Sequence, residues 1–469
     1  MSGAVGEFEE LRRELQRLRK RVEHLERENA QLRSENARLR EALEEARRSG
    51  KRQAAPFSRG RKKERPERPG RKAGSAYGSQ ARRAAPKHID ERVTVDCPLI
   101  CPHCGGGVRL EGKSSQYQTD IPRIEPATTE FEIHYGRCMR CDRVVKGREA
   151  KQISDATGAV GGVQIGPNTI AMTAHLNKTC GMSYERIAEV FAQMFGLQVN
   201  RSTLARSLLR LGRKASPTYR NLIEQVRGSP VVSPDETGWR IGGDKAWLWT
   251  VATPDTTVYQ IEPGRGYAEA AKLLGEDFEG VLCADGWAPY RRFDRAKIQT
   301  CLAHLLRRSK ELREAPPTAA CAAWFENISA VLHQALALRD RRDAATISER
   351  GLRIAKGKIE AKMDRLLEEP DLHDESLRFA IHLLRYRDGL FLFLDRADVD
   401  ATNYRAEQAI RPAVINRKTS GGNRTPRGAR AQSVLMSIQR TAKLRSVSAL
   451  DAFKQILRDP TPRVHHLGR

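Results

Sequence analysis

The sequence lacks any apolar run that approaches the roughly 20 residues needed to span a bilayer, and its N-terminus lacks the short apolar core of a secretion signal. We therefore expect a cytoplasmic protein with no membrane contact. Acidic residues are scarce beside basic ones, with 58 Asp and Glu against 83 Lys and Arg and a net charge of +25. Because Lys and Arg release condensed counterions when they bind phosphates, this imbalance predicts a polyanionic partner. General solubility is the simpler alternative.

The cysteines do not suggest a disulfide framework either. Four of the nine form two C-x-x-C pairs, Cys101 with Cys104 and Cys138 with Cys141. Such pairs in a reducing compartment are typical of tetrahedral Zn²⁺ held by thiolates. We predict a small zinc-binding module over residues 91–150, in which strands at residues 117–121 and 128–135 bring the pairs together. Reduced, metal-free cysteines are the alternative.

Residues 1–46 carry apolar side chains at alternating steps of three and four, as in the a and d positions of heptads. Every d position is a leucine: Leu11, Leu18, Leu25, Leu32 and Leu39. Asn29 and Asn36 at a positions favour two strands, so we predict a leucine-zipper coiled coil and a homodimer. A single amphipathic helix on the body is the alternative. Residues 47–90, rich in Arg, Lys, Gly and Pro, are interpreted as a basic disordered linker.

Residues 151–225 are predicted to be helical and to contain a helix-turn-helix. Ser183 can cap a first helix, Gly196 begins a break, and Asn200 or Ser202 can cap a second helix over residues 203–211. The second helix would present basic and polar side chains to DNA. These are Arg201, Thr203, Arg206 and Arg210. Two helices packed as plain core are the alternative.

The stretch at residues 231–240, V-V-S-P-D-E-T-G-W-R, brings Asp235 and Glu236 from an apolar run to a Thr-Gly break. Two alternating strands, a helix and a further apolar strand follow, and the last strand leads to Asp285. This order predicts an RNase H-like α/β fold for residues 226–303, with acids at the ends of its first and fourth strands. An acidic pair of this kind is more often a solvated turn, so its meaning depends on the acids that accompany it.

A large all-α insertion with its own core is predicted over residues 304–400, because the segment is helical in pattern and too long for a loop. The second part of the core, residues 401–445, begins with a helix that carries Glu407. An ordinary surface pair between Glu407 and Arg411 is the alternative. A stretch rich in glycine and basic residues follows, and we predict that it grips phosphates through Arg417, Lys418 and Arg424. Residues 446–469 are predicted to form a last helix and a tail.

In their order along the chain, these motifs resemble the insertion sequence 66 family of bacterial DDE transposases. The resemblance rests on the leucine-rich coil, C-P-x-C-G-G, R-S-T-L, D-E-T, D-G-W, C-x-x-H and N-x-x-x-E-x-x-I-R-P, and it covers nearly the whole chain. It implies that Asp235, Asp285 and Glu407 form a triad that binds Mg²⁺ or Mn²⁺. Cys301 and His304 match the C-x-x-H motif, which we interpret as a packed junction between a strand and a helix.

The resemblance also implies a function and partners. Such an enzyme binds the terminal inverted repeats of an insertion sequence, cleaves double-stranded DNA and joins it to target DNA, with small accessory proteins from the same element, in association with the nucleoid. A catalytically inactive dimeric DNA-binding regulator is the alternative, and a coiled-coil scaffold leaves the acids and cysteines unexplained. Trp287 stands where Tyr is more usual, and K-T-S-G-G from Lys418 replaces a more usual Lys-Asn-Trp run. These departures concern contacts with the DNA ends.

Overall fold

The computed structural model describes residues 85–153, 165–314, 318–368 and 373–468, together with scattered positions between 21 and 39. Two units are distinguished, Met1–Ile121 and Pro122–Arg469. Most of the predicted coiled coil and nearly all of the predicted linker lie outside the described residues. The described heptad positions are helical, and Leu25, Leu32 and Leu39 are exposed. Among the described residues, no helix has the length and hydropathy of a membrane span.

The segment around the cysteines contains little regular structure. Strands β1, Tyr135–Arg137, and β2, Val144–Lys146, form a short antiparallel hairpin around the second cysteine pair. The predicted strands at residues 117–121 and 128–135 are wrong apart from the last residue, because residues 111–134 have no regular structure. Their apolar side chains, such as Ile121 at 80% exposure, have no neighbouring strand or core to pack against.

Within residues 165–230, four helices precede the sheet: α1, Pro167–Lys178; α2, Tyr184–Phe195; α3, Arg201–Lys214; and α4, Ser216–Arg227. Ser183 caps α2 by accepting a hydrogen bond from the backbone N–H of Arg186, and Gly196 ends it at a φ of 69°. Helix α3 follows Asn200 and buries Leu204, Leu208 and Leu211. The predicted pair of helices is therefore present, with the second longer at both ends. Its role in DNA binding stays a prediction.

The central sheet has five strands in the order β5-β4-β3-β6-β7. They are β3, Val231–Ile241; β4, Asp244–Ala252; β5, Thr257–Glu262; β6, Val281–Ala284; and β7, Lys297–Thr300, with α5, Tyr267–Leu274, between β5 and β6. β3, β4 and β5 are antiparallel neighbours, whereas β6 and β7 run parallel to β3. The predicted order of three strands, a helix and two strands is confirmed.

One boundary in the sheet differs from the prediction. β3 continues to Ile241, so Asp235 lies inside the strand and not at its end. The Thr-Gly pair that we interpreted as a break lies in the hairpin with β4, where Thr237 pairs with Leu248 and Gly238 with Trp247. Nine register pairs with β4, from Ser233 to Ile241, outweigh the single glycine.

Two C-terminal helices complete the sheet: α11, Tyr404–Ser420, and α12, Pro426–Leu444. They pack on Trp239, Leu248 and Tyr259 from one face. Helix α12 also lies along the outer edge of β5, where its Ser433, Ser437 and Thr441 hydroxyls accept hydrogen bonds from backbone N–H groups of the strand. The edge strand therefore has partners for N–H groups that would otherwise be open to another chain.

Five helices lie between β7 and α11: α6, Leu302–Glu314; α7, Ala319–Asp343; α8, Glu349–Leu367; α9, Asp374–Arg385; and α10, Leu392–Asp395. The predicted helical insertion is present, but its core is not separate, because Val281 and Cys283 of β6 belong to the same cluster as its Trp324 and Phe379. Gln299 of β7 bonds to the backbone of Leu390 and Phe393, which seats the insertion on the other edge of the sheet. The predicted C-terminal helix is α13, Ala449–Arg458.

Candidate active site

Asp235 and Asp285 lie where two neighbouring parallel strands separate. β3 pairs with β6 only at Val231 and Val232, so Asp235 follows soon after the last paired residue. Asp285 comes directly after β6. Burial raises the pKa of Asp235 to about 7, and the charges of Glu236 and Asp285 add to that shift. The two acids are therefore near enough for the charge on one to favour a proton on the other.

Glu407 approaches the same place from the first turn of α11, and His304 approaches it from the first turn of α6. Nε2 of His304 lies 3.9 Å from Oε1 of Glu407. The pKa of His304 is raised, chiefly by Cys301 and further by the charge of Asp285. The charge of His304 in turn opposes the upward shift in the pKa of Asp235. His304 thus interacts with all three predicted acids.

Asn403 connects the elements that carry these side chains. Its side-chain Nδ2 donates to the backbone oxygen of Pro234, at 2.9 Å, and its backbone N–H donates to Sγ of Cys301, at 3.1 Å. Cys301 is 1% exposed. It therefore packs at the junction between β7 and α6, as interpreted from the sequence. His304, the other half of the C-x-x-H motif, reaches the acids instead.

Glu236 has a different environment from Asp235. Successive side chains of a strand point to opposite faces, and the side chain of Glu236 is only 3% exposed. Its Oε1 accepts two hydrogen bonds from Arg265, at 2.8 and 2.6 Å, and its Oε2 accepts one from Tyr290, at 3.1 Å. Both oxygens of Glu236 therefore accept hydrogen bonds from protein side chains, which makes Asp235 the better candidate of this pair for a cation ligand.

The helical insertion supports the loop that carries Asp285. The hydroxyl of Tyr386 donates to the backbone oxygen of Gly286, at 2.7 Å. Gly286 has a φ of 86°, and a Cβ atom there would lie 3.0 Å from Cε1 of His382. Only glycine meets both conditions without strain. The backbone N–H of Trp287 donates to Oδ1 of Asp285, at 3.0 Å, and holds the carboxylate in place.

The three acids have the chemistry of a divalent-cation site. Mg²⁺ and Mn²⁺ are hard cations that prefer carboxylate oxygens, and the raised pKa of Asp235 is expected of a buried carboxylate beside other carboxylates. In the part of the chain that the structure describes, no group of three or more His, Cys, Asp or Glu side chains is already arranged to hold a metal ion. The three acids offer the oxygen donors that these cations prefer, and the metal site stays a prediction.

Comparison with known proteins identifies the family. A family model described as "Transposase IS66 family" matches residues 162–431, more than half of the chain. The chain belongs to the IS66 transposase family. The family identification covers the sheet, the helical insertion and the residues around His304, and it confirms the resemblance stated from the motifs. Among curated proteins there is no match.

The residues predicted to contact DNA in this family member fall into two groups. On α3, Arg201 and Arg206 are exposed, whereas Thr203 and Arg210 are half-buried. Arg206 bonds to the backbone oxygen of Ser202, at 3.3 Å, so its guanidinium lies along the helix surface. The first turn of α3 is exposed at Arg201 and Ser202, and its contact with DNA stays a prediction.

The second group, after Glu407, is more ordered than the sequence suggested. Lys418 lies in the last turn of α11, and Arg417 donates to Thr237 Oγ1 and to the backbone oxygen of Gly238. Arg417 therefore joins α11 to β3. The glycine-rich stretch is also fixed, because Asn423 exchanges backbone hydrogen bonds with Arg240 and Gly242. Of the three predicted phosphate contacts, Lys418 and Arg424 are exposed and Arg417 is half-buried.

The two cysteine pairs form turns of the same kind. Cys101 N–H donates to the oxygen of Gly106, and Cys138 N–H donates to the oxygen of Arg143. In the first pair, backbone hydrogen bonds from His103 and then Cys104 lower the pKa of Cys101; Arg140 and Cys141 do the same for Cys138. A lowered pKa favours the thiolate form of a cysteine, which is the form that binds zinc, so each turn favours one zinc-binding thiolate. The first pair belongs to the unit Met1–Ile121 and the second to Pro122–Arg469, and the zinc site stays a prediction.

Several residues of this region had no signal in the sequence analysis. Arg265 and Tyr290 contact Glu236 across 29 and 54 positions of the chain, and Tyr386 contacts Gly286 across 100. Such contacts depend on how loops and the insertion return to the sheet. For Arg265 the sequence did contain a partial signal. Arg265 lies over the rings of Trp247 and Trp287, which are two of only five tryptophans in the chain.

Proposed function

We propose that this family member is an active DDE transposase that binds the ends of an insertion sequence, cleaves the DNA and transfers the strand to target DNA. The observation that carries the proposal is the position of His304, which interacts with Asp235, Asp285 and Glu407 from three separate parts of the chain. Two further observations support an RNase H-like core: the strand order of the sheet, and the positions of Asp235, just beyond the residues of β3 that pair with β6, and of Asp285, directly after β6. The catalytically inactive regulator has no comparable support, because it does not require these acids to converge.

In this proposal, Asp235, Asp285 and Glu407 hold Mg²⁺ or Mn²⁺. When bound, such cations activate the attacking oxygen and stabilise the leaving oxygen of a phosphodiester. The residues around them have separate tasks. Trp287 N–H fixes Asp285, Asn403 fixes the backbone beside Asp235, and His304 places a basic group 3.9 Å from Glu407.

Further parts of the proposal concern partners. The net charge of +25 and the exposed basic turn of α3 support binding to double-stranded DNA. The paired cysteine turns support Zn²⁺ held by Cys101, Cys104, Cys138 and Cys141, and the heptads support a homodimer. Accessory proteins and association with the nucleoid are proposed from the family alone.

The decisive experiment measures cleavage of a labelled duplex that carries the terminal repeats of the encoding element. With Mn²⁺, wild-type protein should nick the repeat end, and Asp235→Asn should lower the rate at least about a thousandfold, because it removes a charged oxygen ligand. Binding of the same duplex should stay within about twofold. Asp277→Asn, at an exposed acid in the loop before β6, is the matched control.

The results separate the two functions. Full cleavage by Asp235→Asn would refute the assignment of the acid. Binding of the repeat ends by the wild type with no nicking in Mn²⁺ or Mg²⁺ would favour the inactive regulator.

A further inference from the structure

Arg265 lies in the loop between β5 and α5, and its guanidinium group lies between two tryptophan rings. Its Cζ atom is 4.6 Å from the ring centroid of Trp247 and 4.9 Å from that of Trp287. Two hydrogen bonds, from Nε and Nη2 of Arg265 to Oε1 of Glu236, fix the position of the guanidinium group. The guanidinium is therefore already ordered before a ligand binds, so binding would not have to offset the entropy cost of ordering a flexible side chain.

One side of this stack is open to solvent. The side chain of Arg265 is 39% exposed, and both tryptophans are partly exposed. Nε and Nη2 donate to Glu236, and within the described residues Nη1 makes no hydrogen bond. Lys245 adds a second cation, with Nζ 5.5 Å from the ring centroid of Trp247. An ion pair with Glu236 would anchor the loop by itself, and it does not require two large indole rings in partial contact with water.

The stack adjoins the catalytic acids. Trp287 follows Asp285 by two residues, and its backbone N–H donates to that carboxylate. Glu236, which holds Arg265, is the neighbour of Asp235 in β3. A strand whose phosphate reaches the acids would therefore pass close to the rings and to Nη1 of Arg265.

We propose that Trp247, Arg265 and Trp287 bind an unpaired nucleotide of the DNA strand beside the reacting phosphate. Indole rings stack on any base, and an arginine N–H group binds a phosphate oxygen. A fully paired end exposes only the outer face of its last base pair, whereas an unpaired nucleotide can turn out of the helix and enter between the rings, so a frayed end binds more tightly. The inference rests on the proposed function, because it takes the strand at these acids to be DNA.

The test compares two fluorescent duplexes that differ only in whether the last three nucleotides of one strand are paired. Binding of the full chain is measured by anisotropy without added Mg²⁺ or Mn²⁺ and without a chelator, so that no strand is cut and any zinc bound to the protein stays in place. Wild-type protein should bind the unpaired end about tenfold more tightly, the effect of one stacked base. Trp287→Ala and Arg265→Ala should lose this preference and keep the affinity for the paired duplex.

Matched variants separate stacking from loss of charge or fold. Arg292 lies over the ring of Tyr267, at 4.3 Å, so Arg292→Ala removes an arginine from another aromatic ring and should keep the preference. Trp287→Phe should keep most of it, whereas Arg265→Lys, which keeps the charge but not the planar group, should lose most of it. Circular dichroism checks that each variant is folded.

Each outcome decides something. Equal binding of both duplexes by wild-type protein, or an equal loss in Arg292→Ala and Arg265→Ala, overturns the inference and leaves the proposed function intact. Failure to bind either duplex when they carry the terminal repeats counts against the proposed function itself.

Discussion

Lys178 provides a direct test of how charge is buried in this fold. It ends α1, is 5% exposed, and its Nζ donates to Oε1 of Gln432 on α12. Burial lowers the pKa of Lys178 from 10.5 to about 7. Between these values the unfolded chain binds more protons than the folded chain, so stability rises with pH across this window. Below pH 7 both states are charged, and the full cost of burial is present.

The size of the effect follows from the shift. A difference of about 3.5 pKa units corresponds to about 5 kcal/mol at 1.36 kcal/mol per unit, which is an upper bound. Lys178→Met removes this cost but leaves Oε1 of Gln432 without its donor, at about 1–3 kcal/mol. The variant should therefore be more stable than wild type by about 2 kcal/mol at pH 6.5 and less stable by about 1 kcal/mol near pH 10.

Urea unfolding of the full chain, followed by tryptophan fluorescence at four pH values from 6.5 to 10, measures the difference between variant and wild type. Other titrating groups cancel in that difference. Lys443→Met, at an exposed lysine of α12, is the control and should show no dependence on pH. A difference for Lys178→Met that stays constant over the whole range would refute the reasoning.

Two further predictions concern the site and the insertion. Because the folded-state pKa of Asp235 is about 7, Mn²⁺ must displace a proton below that pH, so affinity measured by calorimetry should rise about tenfold per pH unit up to pH 7 and then level off; a flat profile would contradict the assignment. Gly389→Ala should destabilise the protein by more than about 2 kcal/mol, because the new Cβ would lie 1.7 Å from the backbone oxygen of Ile298. Gly357→Ala, in open space on α8, is the control and should slightly raise the melting temperature. Equal melting temperatures for Gly389→Ala and Gly357→Ala would show that the clash at Gly389 does not exist.

The order of strands and helix in the sheet could be predicted from the sequence. Each strand is marked locally, either by alternating apolar and polar residues or by a short apolar run. The sequence also predicted the three acids, since each comes with its own motif, and their shared role stays a prediction. The end of β3 was misjudged because a Thr-Gly pair favours a turn locally, while nine paired positions with β4 outweigh it in the fold. The predicted strands before β1 failed for the opposite reason: alternation was present, but no partner strand was available.

Positions that depend on distant contacts could not be predicted. Arg417 was predicted to bind phosphate from its basic neighbours, yet it donates to β3, about 180 residues earlier in the chain. The family resemblance separated Asp235 from Glu236, but the residues alone did not, and the contacts of Glu236 with Arg265 and Tyr290 could not be foreseen. Charge in a sequence predicts the class of partner better than it predicts which side chains meet it.

The placement of α12 along β5 has a consequence for synthesis of the protein on the ribosome. All five strands are made before residue 301, but the partners for the β5 edge, Ser433, Ser437 and Thr441, are made more than 130 residues later. Until then the nascent sheet has an open edge and an uncovered apolar face. A chain that ended before Glu407 would keep all five strands but lack α11 and α12, and it would be prone to aggregate through that edge.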